Sequence, residues 1–263
     1  YSRETATWLV GGEARTVLEL GAGTGKLTEQ LVALGHDVHA TDPDDAMLAI
    51  LRDRVPGAKA QRASAEELPV YDRSVDVVVC AQSFHWFDHQ RALPEIARVL
   101  KPGGHLALVW NRPDQRIPWV RRLSAMVGEQ DQRDDLADPV VRSALFGFVE
   151  EQTFKGWQHL DRDSIVDNTL SRSNVAVLDP DARAAKVAEV LAFYDDYGRG
   201  MDGMQLPYRV SCYRAVVVDR PDARRRLRRR PLDAGDGGDE LAAVDRDFPL
   251  VVTLRARKPT AAS

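Results

Sequence analysis

Gly21, Gly23 and Gly25 follow directly on the apolar run Val17-Leu18-Glu19-Leu20, and Lys26 to Val32 then takes up helical spacing. Strand, glycine turn and helix in that order bring bare main chain close to a nucleotide-like ligand, because a Cβ would block the approach or forbid the turn's φ angles. The spacing separates the ligand classes that use such turns. A phosphate-cradling loop requires GxxxxGK followed by Ser or Thr; here Leu20 occupies the first Gly position and Leu27 follows the Lys. A dinucleotide fingerprint requires GxGxxG, and Lys26 stands where its third Gly belongs, which disfavours a nicotinamide-dependent oxidoreductase. What remains is E-L-G-x-G-x-G, with Glu19 two residues before the first Gly. Taken alone, such a turn is also compatible with a tight strand-helix junction that binds nothing.

A second acid stands at the matching distance. Asp42-Pro43 closes the strand-like run Asp37 to Thr41, about 20 residues after the turn, the offset at which a carboxylate accepts ribose hydroxyls. The alternative is that Asp42 caps a helix over 44–54, since Asp is a favoured N-cap. A third group of interest is His85, just beyond the apolar run Val75 to Cys80, within Ala81-Gln82-Ser83-Phe84-His85-Trp86-Phe87-Asp88. Ligands of open α/β sheets bind at the carboxyl ends of the strands, so His85 is the candidate general base or substrate-orienting group, or else a ring packed on Trp86. Phe84, Trp86 and Trp110 are equally suited to an apolar pocket wall and to a core. His36, His89 and His105 read as structural. No His or Cys pair has metal-ligand spacing near an acid cluster, so no metal is expected.

The elements that must position these groups alternate along the chain. Ser2 to Leu9 reads as a helix ended by Gly11-Gly12. Strands follow at 17–20, 37–41, 58–62, 75–80 and 105–110, with helices at 26–34, 44–54 and 90–100 between them. Strands alternating with helices predict a parallel sheet covered on both faces. Ser64 and Glu67 have capping-box spacing. Beyond Asn111, helices are expected within 113–128, 161–170 and 179–194. The acidic stretch 131–141 reads as loop. Extended segments are expected at 146–160, with apolar Phe148, Phe154 and Trp157, and at 205–218.

Four motifs recur here in a fixed order: Leu18 to Gly25, the acid Asp42, Ala65-Glu66-Glu67-Leu68-Pro69, and Arg98-Val99-Leu100-Lys101-Pro102-Gly103-Gly104. In this order they resemble the class I S-adenosylmethionine (SAM) dependent methyltransferases of the type 11 group. The run Ala81 to Asp88, with Ser171-Arg172-Ser173 and Leu206-Pro207-Tyr208-Arg209, looks more narrowly like the trans-aconitate methyltransferase-like branch. The resemblance is strong over about residues 5–111 and weaker to Ala215.

It implies a Rossmann-like α/β fold: a mostly parallel sheet ending in a C-terminal antiparallel pair, here 148–160 with 205–218, and helices on both faces. It implies a SAM-binding core at 1–111, substrate-covering helices and the last strands at 112–219, and a tail at 220–263. The cofactor contacts it implies are Glu19, Gly21, Ala22, Gly23, Gly25, Asp42, Pro43, Ser64, Ala65, Glu66, Ala81 and Gln82, with the loop at Ser64 to Glu66 against the adenine. By the same analogy Arg112 and Arg172 meet a substrate carboxylate, and the acceptor is a small metabolite.

Composition narrows the alternatives. The chain has 263 residues, 44% hydrophobic, enough for one sizeable core. A formal net charge of −4 gives no general attraction to nucleic acid or anionic membrane. Cys80 and Cys212 lie in apolar runs with no disulfide framework, so a reducing, cytoplasmic setting is expected. No apolar run reaches membrane-span length and no signal peptide is visible. Because the chain begins at Tyr1, a further N-terminal segment is expected upstream. Arg224 to Arg230 is a dense basic run beside an Asp/Gly-rich stretch. It reads as a solvated tail, with an RNA methyltransferase as the alternative, and Phe248 to Leu254 is a candidate either for an added edge strand or for the last strand in place of 205–218. A non-catalytic SAM-binding domain is the alternative from outside enzymology.

Overall fold

Valines in succession make the centre of the sheet. Val75, Val77, Val78, Val79 and Cys80 are all fully buried, as a parallel strand covered on both faces must be. The structure is a computed structural model that describes residues 1–128, 136–170, 172, 175, 177–197 and 203–218. In chain order its elements are α1 (Arg3–Val10), β1 (Thr16–Leu20), α2 (Lys26–Ala33), β2 (Asp37–Asp42), α3 (Asp45–Arg54), β3 (Lys59–Arg62), β4 (Val75–Ala81), a 3₁₀ turn (Phe84–Trp86), α4 (His89–Val99) and β5 (Leu100–Pro113). Then come α5 (Pro118–Met126), α6 (Asp138–Ser143), β6 (Phe146–Leu160), α7 (Arg162–Leu170), α8 (Pro180–Tyr197) and β7 (Met204–Val217).

The seven strands lie in the order β3-β2-β1-β4-β5-β7-β6. The first five are parallel, and β7 pairs antiparallel with both β5 and β6. The expected Rossmann-like sheet with a C-terminal antiparallel pair is therefore present. Leu18, Leu20, Val78, Cys80, Leu106 and Leu108 pack on one face with α4. Val17, Val38, Val77, Val79, Ala107 and Val109 pack on the other with α1 and α2. A separate apolar cluster joins α5, α7 and α8 to the ends of β6 and β7, through Leu123, Ile165, Phe193, Leu160 and Leu206. These helices form a cap.

Local chemistry sets the helix starts. Ser2 Oγ accepts the Thr5 N–H, Asp44 the Ala46 N–H and Asp88 the Gln90 N–H. Asp44, not Asp42, is thus the N-cap of α3.

Other readings are decided by the structure. Ser64 and Glu67 form an isolated antiparallel bridge around a turn and no helix follows, so there is no capping box. Residues 138–141, part of the stretch expected as loop, are helical within α6, with Pro139 in the first turn. Phe148 and Trp157 are 85% and 64% exposed, because β6 is the last strand of the sheet and has a neighbour on one side only. Phe84 and Trp110 are core residues whereas Trp86 is 78% exposed, so the three do not share one pocket wall. The basic run at 224–230, the strand candidate at 248–254 and the stretch 131–135 lie outside the described residues.

Candidate active site

The glycine turn joins β1 to α2 at the carboxyl edge of the sheet, and its glycines answer to different constraints. Gly21 has φ 66°, and a Cβ there would sit 2.4 Å from Ser83 Cβ. Ser83 in turn donates its hydroxyl to the Leu20 carbonyl at 2.6 Å, tying the ends of β1 and β4 together. Gly23 has φ 56°, yet an added Cβ would meet nothing within 4 Å. Its bare face opens onto empty space.

The Gly23 N–H donates to Asp42 Oδ2 at 2.9 Å, and the Asp44 N–H donates to Oδ1 at 2.9 Å. Asp42 is 8% exposed and stands beside the turn, one strand over, because β2 lies next to β1. Next to it, Ala22 donates its N–H to the Thr41 carbonyl at 3.0 Å, and the Pro43 carbonyl accepts from Arg62 Nε at 3.0 Å.

Glu19 lies beneath the turn, 1% exposed, and takes the Thr28 hydroxyl at 2.6 Å. Burial raises its pKa to about 8; the Asp42 charge adds to the rise and the Thr28 hydrogen bond opposes it. The side chain is therefore sealed in and held neutral over most of the physiological range.

The loop after β3 is fastened by Arg98. Its guanidinium donates to Glu95, to Asp72 and to the carbonyls of Leu68 and Val70, while Glu95 accepts the Leu68 N–H at 3.1 Å. These bonds hold Ala65 in the core and Ser64 at the surface. Glu66 accepts the Asp88 N–H at 2.9 Å, linking the same loop to the start of α4.

At the end of β4, Ala81 pairs with Val109. Gln82 adopts φ 60°, a conformation that costs a non-glycine residue roughly 1–3 kcal/mol. It is held there by its N–H on the Val109 carbonyl and its Nε2 on the Asn111 carbonyl, both at 3.0 Å. His85 is exposed, tilts on Trp86 and accepts from Trp110 Nε1 at 3.5 Å. His89 and His105 are occupied structurally, their Nε2 atoms lying 3.0 Å from the Phe84 carbonyl and 2.7 Å from the Leu9 carbonyl.

Between the sheet edge and the cap runs a cleft of about 690 Å³. Lys26, Gln82 and Asn111 line it from the core, and Lys155, Arg172 and Tyr208 from the cap side. Its described lining contains no Asp, Glu or His. Of the residues expected at the site, Gln82 and Arg172 are brought into this cleft. His85 is not among its lining. Arg112 shares the sheet face of Trp110, and its charge acts on Tyr213. Sequence reading passed over Lys26 and Asn111, although each directly follows a strand or turn already marked as functional. Nothing local points to Gln158, which takes the Tyr208 hydroxyl at 2.9 Å on the cleft wall. Among the described residues no cluster of His, Cys, Asp or Glu could hold a metal, and no helix is long and apolar enough to cross a membrane.

Comparison with known proteins agrees with this layout. Residues 18–108 match a family described as a methyltransferase domain. An uncharacterized methyltransferase of Mycobacterium tuberculosis is 40% identical over 221 residues, 83% of this chain and 90% of the relative. Another protein of that organism, assigned as an S-adenosylmethionine-dependent methyltransferase, is 33% identical over 187 residues, 67% of each chain. Among solved structures, one assigned as a type II methyltransferase from Anaeromyxobacter dehalogenans superposes with a TM-score of 0.62 at 24% identity, covering 84% of this chain and 98% of that one. It shares the fold. With the glycine turn, the adjacent acid, the sheet order and identity sustained over most of both chains, the protein belongs to the class I SAM-dependent methyltransferases.

Proposed function

We propose that this enzyme transfers the methyl group of SAM to a small-molecule acceptor bound in the cleft between sheet edge and cap. The observation that carries the reading is the open face of Gly23, whose N–H is tied to Asp42: a cradle a Cβ would fill, beside a carboxylate. The residues present fit the cofactor. Each Asp42 oxygen accepts one main-chain N–H, and a carboxylate oxygen has a second lone pair for a ribose hydroxyl. In this reading Gly21, Ala22, Gly23 and Gly25 present main chain, Asp42 and Pro43 hold the sugar edge, and Ser64, Ala65 and Glu66 flank the base. Ala81 and Gln82 shape the floor. Glu19, being sealed in, supports the turn from below. When bound, SAM supplies a methyl already activated on a sulfonium, so the protein's part is positioning and exclusion of water.

A cleft of about 690 Å³ lies within the size range of small-molecule sites, which supports a metabolite as acceptor. The 1–111 core as cofactor domain and the helices beyond it as acceptor cover are part of the same proposal. So is membership of the trans-aconitate methyltransferase-like branch, which rests on the run Ala81 to Asp88 and on Arg172 and Leu206 to Arg209. His85 is proposed to orient the acceptor at the mouth beside exposed Trp86.

The test is a calorimetric titration of SAM into the wild-type protein, Gly23→Val and Asp42→Ala, with folding checked by circular dichroism. Saturable binding by the wild type, lost in both folded variants, is expected. A folded wild type that does not bind SAM, or variants that bind undiminished, overturns the reading.

A further inference from the structure

The outer edge of β6 carries no strand among the described residues, since β6 pairs with β7 alone. Over 15 residues it presents a row of main-chain donors and acceptors that another chain can pair with. Its exposed aromatics are Phe148 and Trp157. Charge is a common means of blunting such an edge, and one face of β6 carries a charge of each sign. Val149, Glu151, Thr153, Lys155 and Trp157 alternate along the strand and so share that face. Glu151 and Lys155 stand two residues to either side of Thr153.

Neither charge is neutralised within the sheet. Lys155 lies directly across from Arg209 of β7, and like charges in that relation repel. Among the described residues neither of these two cations forms an ion pair. Glu151 lies across from Tyr213, whose phenol donates to its carboxylate, and it too has no ion pair among the described residues. The adjacent Glu150, on the opposite face, is paired with Arg214 across the ladder. One face of β6 is thus complete in charge, and the other holds an acid and a base each without a counterion.

We propose that the partner of this edge is a second copy of the chain, the two β6 strands pairing antiparallel about a two-fold axis at Thr153 and joining the two seven-stranded sheets into one. In that register Lys155 lies across from the partner's Glu151, and Glu151 across from the partner's Lys155. Trp157 lies across from the partner's Val149, and Thr153 meets its own counterpart. Two cross-strand ion pairs form, and the carboxylate beside Lys155 offsets its repulsion from Arg209. Moving the axis by one residue sets Lys155 against Val149 or Thr153 and loses both pairs, so charge fixes the register. Each subunit offers the same edge and uses it up, so the assembly closes at two. The opposite edge of the sheet, β3, is only four residues long and is a poor template for further growth. Lys155 to Gln158 also line the cleft, so each subunit braces the wall of the other's cleft.

The experiment is sedimentation equilibrium of the full chain over the micromolar range, with circular dichroism to check folding. A wild-type species of twice the chain's mass is expected. Glu151→Lys and Lys155→Glu should each weaken the dimer about tenfold or more, since each replaces two cross-strand ion pairs by two like-charged ones. Lys155→Glu also sets an acid across from Arg209, so its monomer should be no less stable than the wild type. Mixing the two variants should restore a dimer, because one chain then presents two lysines and the other two glutamates; a misfolded variant could not do this. The double variant Glu151→Lys/Lys155→Glu should likewise dimerise alone. A wild type that stays monomeric over the whole range, whether its edge is free or covered by its own residues beyond 218, overturns the proposal. So does a species larger than two chains, a dimer that neither single reversal weakens, or a mixture of the two variants that fails to restore it.

Discussion

The main-chain N–H of Gly23 donates to Oδ2 of Asp42 at 2.9 Å, so the glycine turn and the acid at the end of β2 form one unit. Asp42 therefore holds the turn in shape. Asp42→Ala removes an ionised acceptor from two main-chain donors, Gly23 and Asp44. It should lower unfolding free energy by about 1–3 kcal/mol and weaken SAM at least tenfold. Urea melts and calorimetric titration check both.

Two glycines of one turn should fail differently. Gly21→Ala places a Cβ against Ser83, in contact with the strand-end clamp at Leu20, and should cost about 3 kcal/mol or more by overpacking and backbone strain together. Gly23→Ala carries only the φ strain, roughly 1–2 kcal/mol, since nothing lies within 4 Å. Its loss should be read in SAM affinity. Thermal melts beside titrations separate the two; equal melting temperatures would contradict the distinction.

Glu19 sets a pH dependence. Its pKa is raised from 4.5 to about 8 when folded, so between these values the folded state holds a proton that the unfolded state has released. Stability is then full below about pH 4.5, falls as pH rises through the window and levels off above about pH 8. Glu19→Gln, which keeps the shape without the charge, should flatten that fall, with a gain on the order of 2–4 kcal/mol at pH 8. Urea midpoints of both proteins from pH 5 to 9 test it.

Arg98 should matter to the cofactor at a distance. Its side chain is 17% exposed and binds Glu95, Asp72 and the carbonyls of Leu68 and Val70. Arg98→Met strands Glu95 and those carbonyls, at about 3–5 kcal/mol. The Ser64 to Leu68 loop should loosen, seen as faster amide exchange there and a higher KM for SAM.

The alternation of apolar strands with helices, the bare turn at Gly21 to Gly25 and the acid at Asp42 were all legible from local order and spacing. The antiparallel pairing of β6 with β7 was implied by the family resemblance and not by local order, which left 248–254 as a rival last strand. The capping box at Ser64 was misread because the Ser64↔Glu67 bridge and Arg98 settle that loop by contacts remote in sequence. The extended run at 146–160 was read correctly, but hydrophobicity alone does not tell a central strand from an edge one, so the exposure of Phe148 and Trp157 was not legible.

By itself, then, the sequence determined which segments become strands and helices and which main chain stays bare, since period, glycine position and caps act over a few residues. Tertiary structure alone decided that Gly21 is filled by Ser83 while Gly23 lies open, that Glu19 is sealed in and neutral, and that Lys26 and Arg172 face one cleft. Those outcomes depend on the distance and dielectric between groups far apart along the chain, which exist only once the sheet and the cap have come together.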